Sequence, residues 1–161
     1  VGAEPGDIFM HRNIANQVIH TDFNCLSVLQ YAVSILKVKH IVVCGHYNCG
    51  GIRAALDKQR SDLLITNKWL MHIKNTYRLH QDEIDALPDE NDRFNRLVEL
   101  NVVEQIHALS HTSIIQESWR DNGGPTLHGW VYGVHDGIIT PMITRKSTDE
   151  INPIFQYRQI T

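Results

Sequence analysis

The sequence has few cysteines, few prolines and no large excess of either charge over its 161 residues. Its three cysteines cannot form an even disulfide framework, and a chain of this length can bury a core without one. We therefore expect free or metal-bound thiols in a reducing compartment, the cytoplasm. A formal net charge of −3 argues against a nucleic-acid partner or a membrane surface. No apolar run approaches the roughly 20 residues that a membrane-spanning helix needs.

Two common ligand-binding motifs are also missing. There is no Gly-x-Gly-x-x-Gly, and the glycine-rich stretch at residues 44–51 has Gly51 and Ile52 where a phosphate-binding loop needs Lys and Ser or Thr. Cys44 and Cys49 are five positions apart, which is not the Cys-x-x-Cys spacing of a thiol redox site. A nucleotide site and a dithiol redox site are both disfavoured.

The apolar patterns that are present predict a single α/β domain. Strand-like and helix-like segments alternate, which is typical of a sheet with right-handed crossover connections. The continuous Ile-Val-Val run at residues 41–43 suits a central parallel strand that is buried on both faces. Residues 82–92 are acidic and predict a loop, and residues 135–137 predict a hairpin turn. Strands are predicted at residues 7–11, 40–44 and 126–134, and helices at residues 22–37, 63–80, 94–109 and 113–119.

His46 and Cys49 are the most informative pair. They lie three positions apart on a glycine-flanked turn, at the carboxyl end of a predicted strand, where open α/β sheets place their ligands. An imidazole nitrogen with a thiolate sulfur is a ligand mix that zinc prefers. Two ligands do not hold a metal, so we expect a third elsewhere. We expect Cys44 to point into the core and Cys25 to be a structural residue within its helix.

Several segments, taken in order, resemble the β-class carbonic anhydrases, and the bacterial enzymes most closely. The resemblance runs over nearly the whole chain. It implies an α/β fold with a mostly parallel central β-sheet flanked by helices and an antiparallel edge near the C-terminus, in one domain over residues 1–161. The matching segments are residues 7–16 (DIFMHRNIAN), 20–27 (HTDFNCLS), 30–33 (QYAV), 45–51 (GHYNCGG) and 128–137 (HGWVYGVHDG).

The resemblance implies that His46 and Cys49 are two of the three protein ligands of one catalytic zinc per chain. In that family the third ligand belongs to a Cys-x-Asp-Ser-Arg motif, which has no match in this sequence. We therefore expect that the amino-terminal portion of the domain, with the third ligand and the Asp–Arg pair, lies outside these residues. Without that portion we expect the chain to be inactive.

Four further residues match family positions. By the resemblance, Gly50 lends its backbone to the substrate position and Tyr31 lines the active-site cleft at the dimer interface. Arg12 and Tyr157 match part of an inhibitory bicarbonate site. The alternatives are packing against the core or a partner for Tyr31, and a salt bridge near the dimer interface for Arg12.

The activity that the resemblance implies is that of a zinc lyase. It is the reversible hydration of carbon dioxide to bicarbonate and a proton, through attack of a zinc-bound hydroxide on CO2, in a cytoplasmic homodimer or homotetramer. Two alternatives remain open from the sequence. One is a non-catalytic or truncated zinc-binding relative, and the other is a hydrolase of the same fold that acts on carbonyl sulfide.

Overall fold

A computed structural model describes residues 2–158, in which one mixed sheet forms the centre of the molecule. Its strands are β1 (His40–His46), β2 (Thr126–Tyr132) and β3 (Ile139–Arg145). The strand order is β1-β2-β3, with β1 parallel to β2 and β3 antiparallel to β2. The parallel start and the antiparallel edge near the C-terminus confirm the predicted α/β class.

Helices connect and cover these strands. A π-helical turn at Tyr31–Ile35 follows directly on the α-helix at Phe23–Gln30, so the helix predicted at residues 22–37 is confirmed with an irregular last turn. Short 3-10 turns occur at Ile14–Asn16 and Pro153–Phe155. No helix within residues 2–158 is long and apolar enough to cross a membrane. The α-helices are α1 (Phe23–Gln30), α2 (Gly50–Leu56), α3 (Leu64–Leu79), α4 (Gln81–Asp85), α5 (Glu90–Ser110) and α6 (Ser113–Asn122).

Helix α5 lies directly on one face of the sheet. Its Val102 and Ile106 are fully buried. A Cβ added at Gly129 would lie 2.9 Å from Val102 Cγ1 and 3.0 Å from Ile106 Cγ1, and one added at Gly45 would lie 2.6 Å from Val102 Cγ2. Real Cβ atoms essentially never make contacts below 3.0 Å, so glycine in the strands permits the close approach of α5. The helix is thereby held against the end of β1 that carries His46.

The opposite face of β1 is open in the described chain. Val43 and Gly45 are buried, whereas Val42, Cys44 and His46 are exposed. The prediction that β1 is buried on both faces is therefore wrong, and so is the prediction that Cys44 points into the core. The physical reason is the alternation of side chains along a strand, because the face of Val43 and Gly45 is the one that packs against Ile106 and Val102 of α5.

Residues 7–11 were predicted as a strand, and that prediction is wrong. Ile8, Phe9 and Met10 are 56%, 49% and 66% exposed, respectively. Within residues 2–158 the sheet contains only β1, β2 and β3, so this apolar segment has no neighbouring strand with which to share backbone hydrogen bonds. Apolar composition alone does not make a strand when that pairing is absent.

The prediction of a loop at residues 82–92 is also partly wrong, because this segment contains most of α4 and the first residues of α5. The Asp89 carboxylate accepts hydrogen bonds from the backbone N–H groups of Asn91 and Asp92 at 2.8 and 3.1 Å. This side chain caps the helix, and acidic residues in a first turn favour its positive end. The acidic composition that suggested a loop is a helix-start signal.

Candidate metal centre

The turn between β1 and α2 carries both residues of the predicted ligand pair. Strand β1 ends at His46, Cys49 is the residue that precedes the first turn of α2, and Tyr47 and Asn48 lie between them. Asn48 has a φ of 60°, a left-handed conformation that asparagine adopts more readily than most residues. The chain therefore reverses sharply enough to set His46 and Cys49 on one short turn.

The tautomer of His46 follows from its hydrogen bond. The ring atom Nδ1 lies 2.9 Å from the backbone carbonyl oxygen of Tyr47. A carbonyl oxygen only accepts, so Nδ1 carries the proton and donates it. In the neutral ring the other nitrogen, Nε2, then has a free lone pair, which is the form of imidazole that binds a metal. The side chain is also exposed, so this nitrogen is accessible.

The three cysteines have different surroundings. Cys49 is 6% exposed and packs in the core cluster with Ile52 and Ala15. Partial burial of the thiol raises the pKa of Cys44 above its ordinary value, and burial followed by the charge of Asp22 raises the pKa of Cys25. A raised pKa favours the neutral thiol, which is a poor metal ligand. The structural role predicted for Cys25, which is buried in α1, agrees with these surroundings.

The described chain does not form a complete metal site by itself. Within residues 2–158, no group of three or more His, Cys, Asp or Glu side chains could hold a metal ion. The nitrogen of His46 and the sulfur of Cys49 match the donor preference of zinc, which takes at least three protein ligands. The donor chemistry of the pair thus fits zinc, and a third ligand would have to come from outside residues 2–158.

Tyr47 is a further residue of this turn, and no local sequence pattern indicates a role for it. Its hydroxyl group donates a hydrogen bond to Glu99 Oε1 of α5 at 2.8 Å, and its backbone N–H donates to the Tyr132 carbonyl at 3.1 Å. Burial, followed by the hydrogen bond to Glu99, raises the pKa of Tyr47 to about 12. Glu99 is 52 positions away in the sequence, so no local pattern could have indicated the contact.

The two predicted substrate residues lie at exposed positions. Gly50 begins α2, and a Cβ added there would meet no atom within 4 Å, so there is open space beside its backbone. Tyr31 is 49% exposed, and its ring centroid lies 5.8 Å from that of Phe9. Tyr31 is therefore outside the core of the described chain. Its position agrees with either a cleft or a partner contact.

The two residues of the predicted bicarbonate site are also on the surface. Arg12 is exposed, and Tyr157 is 58% exposed with its backbone N–H donating to Gln116 Oε1 at 3.1 Å. Among the contacts of residues 2–158, no hydrogen bond joins Arg12 to Tyr157. The structure thus does not bring them into direct contact, and their shared role stays a prediction.

Comparison with known proteins identifies the family. The family described as "Carbonic anhydrase" matches residues 1–139. The chain belongs to the carbonic anhydrase family. Over 139 residues it is 52% identical to a carbonic anhydrase of Emericella nidulans, with 86% of this chain and 60% of that protein covered. To a carbonic anhydrase of Pseudomonas aeruginosa it is 32% identical over 140 residues, covering 84% of this chain and 62% of that protein.

The fold of this carbonic anhydrase family member agrees with the β class. It matches a tetrameric β-carbonic anhydrase of Sordaria macrospora with a TM-score of 0.83 and 40% identity, over 89% of this chain and 73% of that one. The resemblance to β-class enzymes is thus confirmed, although identity is higher to the Emericella protein than to the bacterial one. The chain spans about three fifths of the length of those two curated relatives.

Proposed function

We propose that the intact protein carrying this chain is a zinc-dependent carbonic anhydrase, which reversibly hydrates carbon dioxide to bicarbonate and a proton. Family membership supports the reaction, and relatives that share up to 52% identity are named carbonic anhydrases. The observation that carries the zinc assignment is the hydrogen bond from His46 Nδ1 to the Tyr47 carbonyl. That bond leaves Nε2 free on the same turn as Cys49.

His46 Nε2 and Cys49 Sγ would hold the zinc, together with a third ligand from outside the described residues. When bound, zinc acts as a Lewis acid that makes water nucleophilic near neutral pH. Gly50 would leave room for the substrate. It has no side chain, and the space that its Cβ would enter is open. Tyr31 would border the cleft through which CO2 enters and bicarbonate leaves.

We also propose self-association as a homodimer or homotetramer. Support comes from the tetrameric state named for the Sordaria protein. The exposed apolar residues Phe9, Phe23 and Ile35 are candidates for burial between subunits.

Arg12 and Tyr157 are proposed to bind inhibitory bicarbonate. The test is the bicarbonate and pH dependence of activity in Arg12→Ala. An unchanged dependence would remove this role.

The zinc and the reaction are tested together on the intact protein. Elemental analysis measures zinc per chain, and stopped-flow kinetics measure CO2 hydration, in the wild type, Cys49→Ser and Cys44→Ser. We expect about one zinc per chain in the wild type and in Cys44→Ser, with loss of both zinc and activity in Cys49→Ser. Cys44→Ser is the matched control, because it is the same substitution in the same segment but at a residue outside the ligand pair.

Each other outcome has a defined meaning. A wild-type protein without zinc, or a Cys49→Ser variant that keeps zinc and activity, would overturn the assignment of the ligands. Zinc without CO2 hydration would favour a non-catalytic zinc-binding relative. Preference for carbonyl sulfide in a competition assay against CO2 would favour the hydrolase instead.

A further inference from the structure

We propose that Tyr47, held in place by Glu99 and Arg96, is a positioning residue that fixes the orientation of His46 in the metal centre. This inference deepens the proposed function and rests on it. Neither Glu99 nor Arg96 touches the ligand pair, and they act through Tyr47.

Tyr47 is held at both its backbone and its side chain. Its backbone N–H donates to the Tyr132 carbonyl of β2 at 3.1 Å, which ties the turn to the neighbouring strand. Its hydroxyl group donates to Glu99 Oε1 of α5 at 2.8 Å, and its ring packs against the core cluster that contains Cys49. The residue between the two ligands is thus anchored to two separate elements.

That anchoring reaches His46 through one backbone atom. The Tyr47 carbonyl oxygen accepts the hydrogen bond from His46 Nδ1 at 2.9 Å. The direction of this carbonyl depends on the backbone angles of Tyr47, which the bonds at its N–H and hydroxyl group restrict. Partners of this kind orient the imidazole plane and maintain the metal-binding tautomer.

Glu99 is in turn oriented by charge. One carboxylate oxygen, Oε1, accepts from Tyr47, and the other, Oε2, accepts from Arg96 Nη1 at 2.7 Å. Arg96 also pairs with Glu83 Oε1 at 2.6 Å, so its guanidinium group bridges two carboxylates. The Glu99 side chain is only 22% exposed, which limits competition from water. Both oxygens of Glu99 are thus occupied, and the carboxylate has a defined position for the Tyr47 hydroxyl group.

The test compares metal binding in Tyr47→Phe, Glu99→Gln and Tyr77→Phe, all in the intact protein. Tyr77→Phe is the matched control, because the Tyr77 hydroxyl group donates to Asp85 Oδ1 at 2.7 Å, away from the turn. Zinc affinity is measured by chelator competition, and the absorption spectrum of the cobalt-substituted protein reports ligand geometry. We expect about a tenfold loss of zinc affinity and an altered cobalt spectrum in Tyr47→Phe, as for other residues that orient metal ligands. Glu99→Gln keeps an acceptor for the Tyr47 hydroxyl group but loses the ion pair with Arg96, so it should show the same changes to a smaller extent. Tyr77→Phe should show neither change.

A double variant tests whether the two residues act as one unit. Because Tyr47 and Glu99 share one hydrogen bond, Tyr47→Phe with Glu99→Gln should lose about as much affinity as Tyr47→Phe alone. Wild-type affinity and an unchanged cobalt spectrum in Tyr47→Phe would overturn the positioning role while leaving the zinc assignment intact. A wild-type protein that binds no zinc would instead overturn the proposed function, and this inference with it. Tyr47→Phe keeps the ring in the core, so the comparison remains decisive if Glu99→Gln fails to fold.

Discussion

Close contact between β1 and α5 predicts that Gly45→Ala destabilises the protein and that Val102→Ala largely cancels the effect. A Cβ at Gly45 would lie 2.6 Å from Val102 Cγ2 and 3.3 Å from Asn16 Oδ1. Overpacking of a core costs about 1 to 3 kcal/mol of unfolding free energy. Replacing glycine in a strand gains roughly 0.5 to 1 kcal/mol. We therefore expect a net loss of about 1 to 2 kcal/mol.

The second substitution makes the cause identifiable. Val102 is fully buried, so Val102→Ala alone should cost about 2 kcal/mol through lost burial and the cavity left behind. In the double variant the new methyl group at Gly45 occupies part of that cavity. Its total loss should be close to that of Val102→Ala alone, which corresponds to a favourable coupling of about 1 to 2 kcal/mol.

The assay is urea denaturation of the wild type, both single variants and the double variant, followed by tryptophan fluorescence. Gly50→Ala is the control, because a Cβ there meets no atom within 4 Å, and it should change stability by less than about 0.5 kcal/mol. Losses in the double variant that simply add would refute the steric explanation. A Gly45→Ala variant as stable as the wild type would refute it as well.

Three further predictions concern buried or partly buried polar groups. Asn101→Leu should lower the free energy of unfolding, measured by urea denaturation, by about 2 to 3 kcal/mol, because Asn101 Oδ1 accepts a hydrogen bond from the buried Gln17 Nε2 at 2.7 Å. A loss below about 0.5 kcal/mol would contradict this. Burial chiefly lowers the pKa of His107 below 6.5, so the folded state takes up its proton at lower pH than the unfolded state does. Stability should therefore fall as pH drops below about 6.5, and His107→Asn should weaken that dependence between pH 7 and pH 5; an unchanged slope would argue against it. Trp119→Phe should lower the free energy of unfolding, measured by thermal denaturation, by about 1 to 3 kcal/mol, because the Pro125 carbonyl oxygen loses the 2.6 Å hydrogen bond that the indole N–H donates. An unchanged melting temperature would refute this.

Local sequence patterns determined most elements of this chain. Helical spacing of apolar residues predicted α1, α3, α5 and α6, and the apolar run at residues 41–43 predicted β1. These patterns succeed because helix and strand periods depend on residues close together in the chain. They failed at residues 7–11, where a strand requires a neighbour that the local sequence does not specify.

The candidate ligands were also local, because His46 and Cys49 lie three positions apart on one turn. Only the tertiary structure decided the rest of the site. Cys44 is exposed because α5 covers the other face of the sheet. The hydrogen bond between Tyr47 and Glu99 joins residues that are 52 positions apart. Such contacts depend on how α5 crosses the strands. Spacing along the chain determines which residues share a turn, whereas packing between elements determines which distant residues can hold that turn in place.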